Sequence, residues 1–164
     1  MSNSSSSSSS QQSSVRQRRL NRFEDSWEQL STSEIAPRLW LSVNKLKSNH
    51  QVYVDIRRKR EEMTGNGKIF IPTKVGLFMH HLEYEKLKQI LTLATDGQQR
   101  PFEISEISGR TISGHLRVDG CWHITLKTQV KESTLSLAAT EVRAIVDCAI
   151  PMSVSATDNE IIWG

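Results

Sequence analysis

The chain carries two thiols, Cys121 and Cys148, with no CxxC and no nearby histidine at metal-ligand spacing. Two buried free cysteines are therefore expected. His80 and His81 are adjacent, and neighbours in either regular element point in diverging directions, so the pair predicts no metal centre. No apolar run approaches the roughly 20 residues of a membrane span, and no signal peptide precedes the serines, so a soluble intracellular protein is expected. Paired carboxylates are also missing: Asp55 lies mid-strand without a partner, and Glu61-Glu62 fall in an expected loop. Catalysis by a metal-assisted or acid-base route is not expected, and no cofactor is implied.

What the chain does have is positive charge, unevenly placed. Residues 1–99 hold fifteen Lys/Arg against ten Asp/Glu, while residues 100–164 hold six against eight. Between Arg38 and Lys74 the balance is nine cations to three anions, the footprint of a surface that meets a polyanion. Residues 2–14 are almost entirely Ser, Asn and Gln, too polar to offset the entropy of ordering, and are expected to be disordered. Arg16, Arg18, Arg19 and Arg22 end this arm, suited to touching phosphates, to nuclear import or to solubilising the chain.

The rest reads as two units, 23–97 and 98–164. "RFEDSWEQL" is a short amphipathic segment closed by Pro37. Leu39, Leu41 and Val43 alternate with Trp40, Ser42 and Asn44 in one strand, and Val52, Val54 and Ile56 with Tyr53, Asp55 and Arg57 in a second. After the loop "EEMTGNGK", "KIFIP" and "KVGLFM" read as two short strands split at Pro72-Thr73. The helix "HLEYEKLKQILTLA" places Tyr84, Leu87, Leu91 and Ala94 on one stripe, with Tyr84 in the core, and Asp96-Gly97 ends it. In the second unit four strand-like pieces precede "TEVRAIVDCAI", whose Val142, Ile145, Val146 and Ala149 share a helical face. Sliding the chain by 58 residues pairs Leu77 with Leu135, Met79 with Leu137, Glu83 with Glu141 and Leu87 with Ile145, which is compatible with duplication or with chance. The fold class is α+β: a curved four-stranded antiparallel sheet followed by a helix (ββββα), with the second unit making a pseudo-dimer if the repeat is real.

Strand alternation puts Tyr53, Arg57 and Lys59 on one face, opposite Val52, Val54 and Ile56, and Trp40 points the same way. An aromatic beside cations on an open sheet is how a single strand is held, with phosphates on charge and a base on the ring. The alternative is that a helix or the other unit covers Tyr53 and Trp40. Lys45, Lys47, Lys68 and Lys74 join the candidate site from the same basic stretch. Arg58 and Arg60 fall on the core side, marking where the strand leaves the sheet. Trp122 is expected to pack the second sheet, Trp27 to cap the edge of the first, and Trp163 to dock as a strand end or to have no role.

The segment from Trp40 to Leu91 resembles the core domain of positive cofactor four, the family of transcriptional coactivators that bind single-stranded DNA. The likeness rests on an early "LSV" strand, "VYVDIR", a glycine-containing loop, Pro72, Lys74 and Gly76 as Pro-x-Lys-x-Gly, and "EYEKLKQI" in the helix, and covers roughly residues 38–95. A Ser-rich basic tail often precedes the domain in that family. The resemblance implies a curved sheet backed by a helix, a dimer with channels for single strands, and DNA-contacting roles for Arg57 and Lys74. Leu46 replaces the family's aromatic in the first turn, Gln51 its lysine before the second strand, and Arg60 stands near its tryptophan. Stacking then has to come from other residues, Tyr53 and Trp40 first.

The expected function is non-enzymatic single-stranded DNA binding in transcription or replication, in the nucleus, with RNA as an equivalent ligand on charge and stacking alone. Expected partners are a second copy or the chain's own second unit, and transcription or replication proteins. The alternative is a protein-interaction module whose second unit covers the sheet while the basic arm recruits an acidic partner.

Overall fold

A computed structural model describes residues 26–149; the Ser-rich arm and Trp163 lie outside them. The fold is α+β, with two four-stranded antiparallel sheets, each followed by a helix. The first sheet has β1 (Trp27–Ala36), β2 (Leu39–Leu46), β3 (Val52–Thr64) and β4 (Gly67–His80) in sequential order, then α1 (His81–Thr95). The second repeats the plan with β5 (Phe102–Ile104), β6 (Thr111–Leu116), β7 (Trp122–Lys127) and β8 (Glu132–Leu137), then α2 (Ala139–Asp147). The ββββα pair expected from the sequence is present.

Two strands of the first sheet differ from the sequence reading. "WEQLSTSEIA" is a full edge strand, β1, and not merely an amphipathic segment. Its register against β2 shifts between Gln29 and Ser31 and again between Glu34 and Ala36. Each shift inverts the inward face, so β1 has no continuous alternation to read. "KIFIP" and "KVGLFM" are halves of one strand, β4. Pro72 is tolerated because β4 is at the sheet's edge, and the residues between Pro72 and Gly76 bulge out against Arg58 alone on β3. "EEMTGNGK" likewise pairs along most of its length: β3 runs to Thr64, Glu61 and Glu62 are strand residues, and the turn is Gly65-Asn66. Arg60 therefore does not mark the end of the sheet; it faces Ile71 in an extended β3–β4 arm.

The core forms where the units meet. Leu39, Leu41, Val54, Ile56, Leu77, Met79, Tyr84 and Leu87 join Ile112, Trp122, Ile124, Leu135, Leu137 and Ile145 in one buried cluster. The buried positions include both members of three pairs related by 58 residues: Leu77 and Leu135, Met79 and Leu137, Leu87 and Ile145. Cys121 and Cys148 are free but only half-buried, so they are not the core thiols expected.

A fourth pair at the same spacing, Glu83 and Glu141, organises the junction. Each occupies the third position of its helix and accepts the N–H of its own N-cap residue, His80 or Ala138, at 2.9 Å. Each also takes an arginine from the other unit. Arg58 donates to both oxygens of Glu141 at 2.6 and 2.8 Å and to the Ser136 carbonyl at 2.7 Å. Arg110 donates to Glu83 from 3.1 Å and to the Phe78 carbonyl at 2.8 Å. Phe78 and Ser136 are again 58 apart, so the two junctions have the same construction. Arg58 is thus an inter-unit clasp and not a rim residue. The Lys88 ammonium adds a 2.8 Å bond to the Cys148 carbonyl just past α2.

His80 and His81 do not diverge: their rings lie 4.4 Å apart at 33°. His80 caps α1, its Nδ1 accepting the Leu82 N–H at 3.2 Å while Nε2–H donates to Gln51 Oε1 at 2.6 Å, an arrangement that requires the neutral ring. Burial lowers the pKa of His80, and burial with the adjacent His80 ring lowers His81 to about 4.

Two measurements follow from this junction. In urea unfolding, Arg110→Ala, which strands the fully buried Glu83 carboxylate, costs about 3 kcal/mol or more; Arg58→Ala, whose partner is partly solvated, costs roughly 1–3 kcal/mol. Equal, negligible effects would mean that the clasp does not hold the units together. Because both histidines are neutral when folded and titrate near 6.5 when unfolded, their stabilisation is complete above about pH 6.5 and is lost as pH falls towards about 4. The melting temperature should be level near neutrality and decline across that window, with His81→Phe flattening part of the decline.

Candidate nucleic-acid interface

Opposite the core, the first sheet presents rows set by strand register. Trp40 faces Arg57, which faces Gly76; Ser42 faces Asp55, which faces Phe78; Asn44 faces Tyr53, which faces His80. Trp40, Tyr53, Arg57 and Lys59 therefore share one face. Two aromatic groups stand on it. Tyr53 and Phe78 lie parallel at 5.3 Å, with Trp27 edge-on to both at 5.2 and 5.3 Å and His80 edge-on to Tyr53 at 5.2 Å. Near the β3–β4 arm, Trp40 packs on Phe70 at 5.4 Å, and the Lys59 ammonium sits 4.3 Å from the Trp40 ring centre. Such a cation-π contact contributes about 0.5–1 kcal/mol where solvent reaches it and fixes the cation beside the ring.

The same face holds a cavity of about 410 Å³, lined by Ser42, Asn44, Asp55, Arg57, Lys59 and, from the aromatic groups, Phe78. Lys131, from the turn between β7 and β8, also lines it, so the second unit contributes a cation to the face of the first. The body of the second unit packs at the core side through β8 and α2, leaving Tyr53, Arg57 and Lys59 partly exposed.

The remaining candidates are distributed differently. Arg57 chelates Asp55 at 2.9–3.2 Å and donates to the Thr73 carbonyl at 2.9 Å. Three of its five N–H groups are thereby engaged and its charge is compensated on the spot. Lys45 alternates to the side of Val43, and Lys47 lies in the turn beyond β2, so neither shares the face of Trp40. Lys68 projects from the β3–β4 arm, 3.1 Å from Glu61. Lys74 is exposed within the bulge of β4.

Trp27, Phe70, Phe78 and Lys131 belong to the site without having been candidates. Phe78 was readable as the outward residue between Leu77 and Met79. Phe70 required knowing that β4 is continuous, and Lys131 has no local signal at all. Tyr84 and Trp122 are buried core residues, as their spacing predicts, whereas Trp27 joins the aromatic group on the open face. No cluster of metal-ligating side chains occurs among the described residues, nor is any described helix long and apolar enough to cross a membrane.

No protein-family model and no curated protein matches this chain.

Gly76 ties the bulge to the face. A Cβ there would lie 2.6 Å from the Ile56 carbonyl oxygen and 2.9 Å from the Arg57 Cα, both backbone atoms that cannot swing aside. Gly76→Ala should push β4 from β3 at the Arg57 row and lower stability by roughly 1–3 kcal/mol in a melting experiment. An unchanged melting temperature would show that the strands separate there without cost.

Proposed function

We propose that the open face of the first sheet binds single-stranded nucleic acid, DNA in the first instance, without catalysing its conversion. The observation that carries this reading is the gathering of rings and cations on one face: Lys59, which sits on Trp40, Phe78, which stacks on Tyr53, and Lys131 all line one cavity. Rings accept any base by stacking, about 1–3 kcal/mol each, and the ammonium groups meet the phosphates between them. A duplex hides its base faces and gains from the charges alone. The resemblance of residues 38–95 to positive cofactor four supports the same ligand and a role in nuclear transcription or replication. The family's dimer has a counterpart in the intrachain pairing of the two units, so one chain is proposed to suffice as the binding unit.

The purified chain should bind oligo-dT more tightly than a duplex of equal length, with affinity falling steeply as salt rises. Lys59→Ala and Lys131→Ala should each weaken binding and reduce the slope of log affinity against log salt by about 0.7, the share of one phosphate contact on a single strand. Equal binding to both ligands, or none at low salt, would remove the proposal. Loss of binding in Lys59→Ala with no effect of Lys131→Ala would confine the site to the first unit.

A further inference from the structure

The floor of the cavity differs in chemistry from its walls. Asn44 is only 3% exposed, yet its Oδ1 has no hydrogen-bond partner among the described residues. A buried acceptor left unpaired costs about 1–3 kcal/mol, and strand pairing, which uses backbone groups, does not ask for an amide here. Next to it, Asp55 keeps further lone pairs beyond those taken by Arg57, and Ser42 shares its hydroxyl with Thr32 at 2.8 Å. The floor thus holds the Asn44 and Asp55 oxygens as acceptors, with the Asn44 amide N–H groups as its donors and the Asp55 carboxylate tilting the balance towards acceptors. The aromatic rows at Tyr53 and Arg57 are four residues apart on β3, about 13 Å at strand rise, which leaves room for a base between the two stacking groups.

Resting on the single-strand reading above, we propose that this floor reads the edge of an unpaired base and favours those with an exocyclic amino group. Cytosine, adenine and guanine bring N–H donors to the Asn44 and Asp55 oxygens. Thymine presents two carbonyl oxygens flanking one N–H and sets acceptor against acceptor. The exposed Gln29, opposite Asn44 on β1, is the side chain that moves to admit the base.

Cytosine and thymine have similar stacking faces, so competition between oligo-dC and oligo-dT of equal length isolates the edge. Oligo-dC should bind roughly three- to tenfold more tightly, the span of about one net hydrogen bond. Asn44→Leu should abolish the preference, bringing the affinities for oligo-dC and oligo-dT together. If that variant does not fold, oligo-dC dimethylated at N4 provides the same test on the wild-type chain, and should bind as oligo-dT does. Equal affinity for dC and dT, or a preference that survives loss of the amide or of the amino protons, overturns this inference and leaves single-strand binding standing. Binding to neither oligonucleotide overturns both.

Discussion

The two glutamates at the helix starts are the contacts on which the rest of this molecule depends. Glu83 and Glu141 each close a helix N-terminus and receive an arginine from the other unit. Each carboxylate caps its own helix, and neither is compensated without an arginine of the other unit. Glu83 is fully buried, so loss of Arg110 would leave its carboxylate away from water without its ion-pair partner. Glu141 is held below the ordinary carboxylate range chiefly by the Arg58 hydrogen bond, with the Ala138 N–H adding to the effect. The ion pairs thus couple helix capping, a local event, to association of the units, a global one.

That coupling determines what remains for the outer face. Because Arg58 is committed to Glu141, and Arg57 to Asp55 and the β4 bulge, the run of four cations on β3 does not form one positive stripe. Lys59 is the member that stands beside a ring on the open face, while Arg60 extends along the arm near Glu62. Charge count alone overstates the positive field of this strand. The geometry replaces quantity with placement: one ammonium on Trp40, and another, Lys131, carried in by a turn of the second unit. Through Lys131 the second unit lines the cavity on this face without covering Tyr53, Arg57 and Lys59, which stay partly exposed.

Much of the first sheet was legible because its inner strands obey a period of two. Leu39, Leu41 and Val43, and Val52, Val54 and Ile56, bury one face and thereby define the opposite face on which Trp40, Tyr53 and Arg57 stand. The second unit's strands and helix were found on the same grounds. β1 was not, because two register shifts within ten residues erase its periodicity. By sequence the arm reads as a loop because glycine and asparagine dominate its tip, although pairing continues from Glu61 and Glu62 to Phe70 and Ile69. The adjacent histidines were expected to diverge, but the chain turns from strand to helix between them and brings their rings together.

Local pattern by itself determined the inner strands β2 and β3 with their core faces, the helix stripe through Tyr84, Leu87 and Leu91, and the shared face of Trp40, Tyr53, Arg57 and Lys59. These are consequences of residue spacing along a chain, and spacing is written in the sequence. Tertiary structure decided that Arg58 belongs to Glu141, 83 residues away, that Lys131 lines the cavity of the other unit, and that Asn44 is buried with an unpaired oxygen. These depend on which surfaces meet, and a contact between distant residues leaves no periodicity behind in either of the segments that make it.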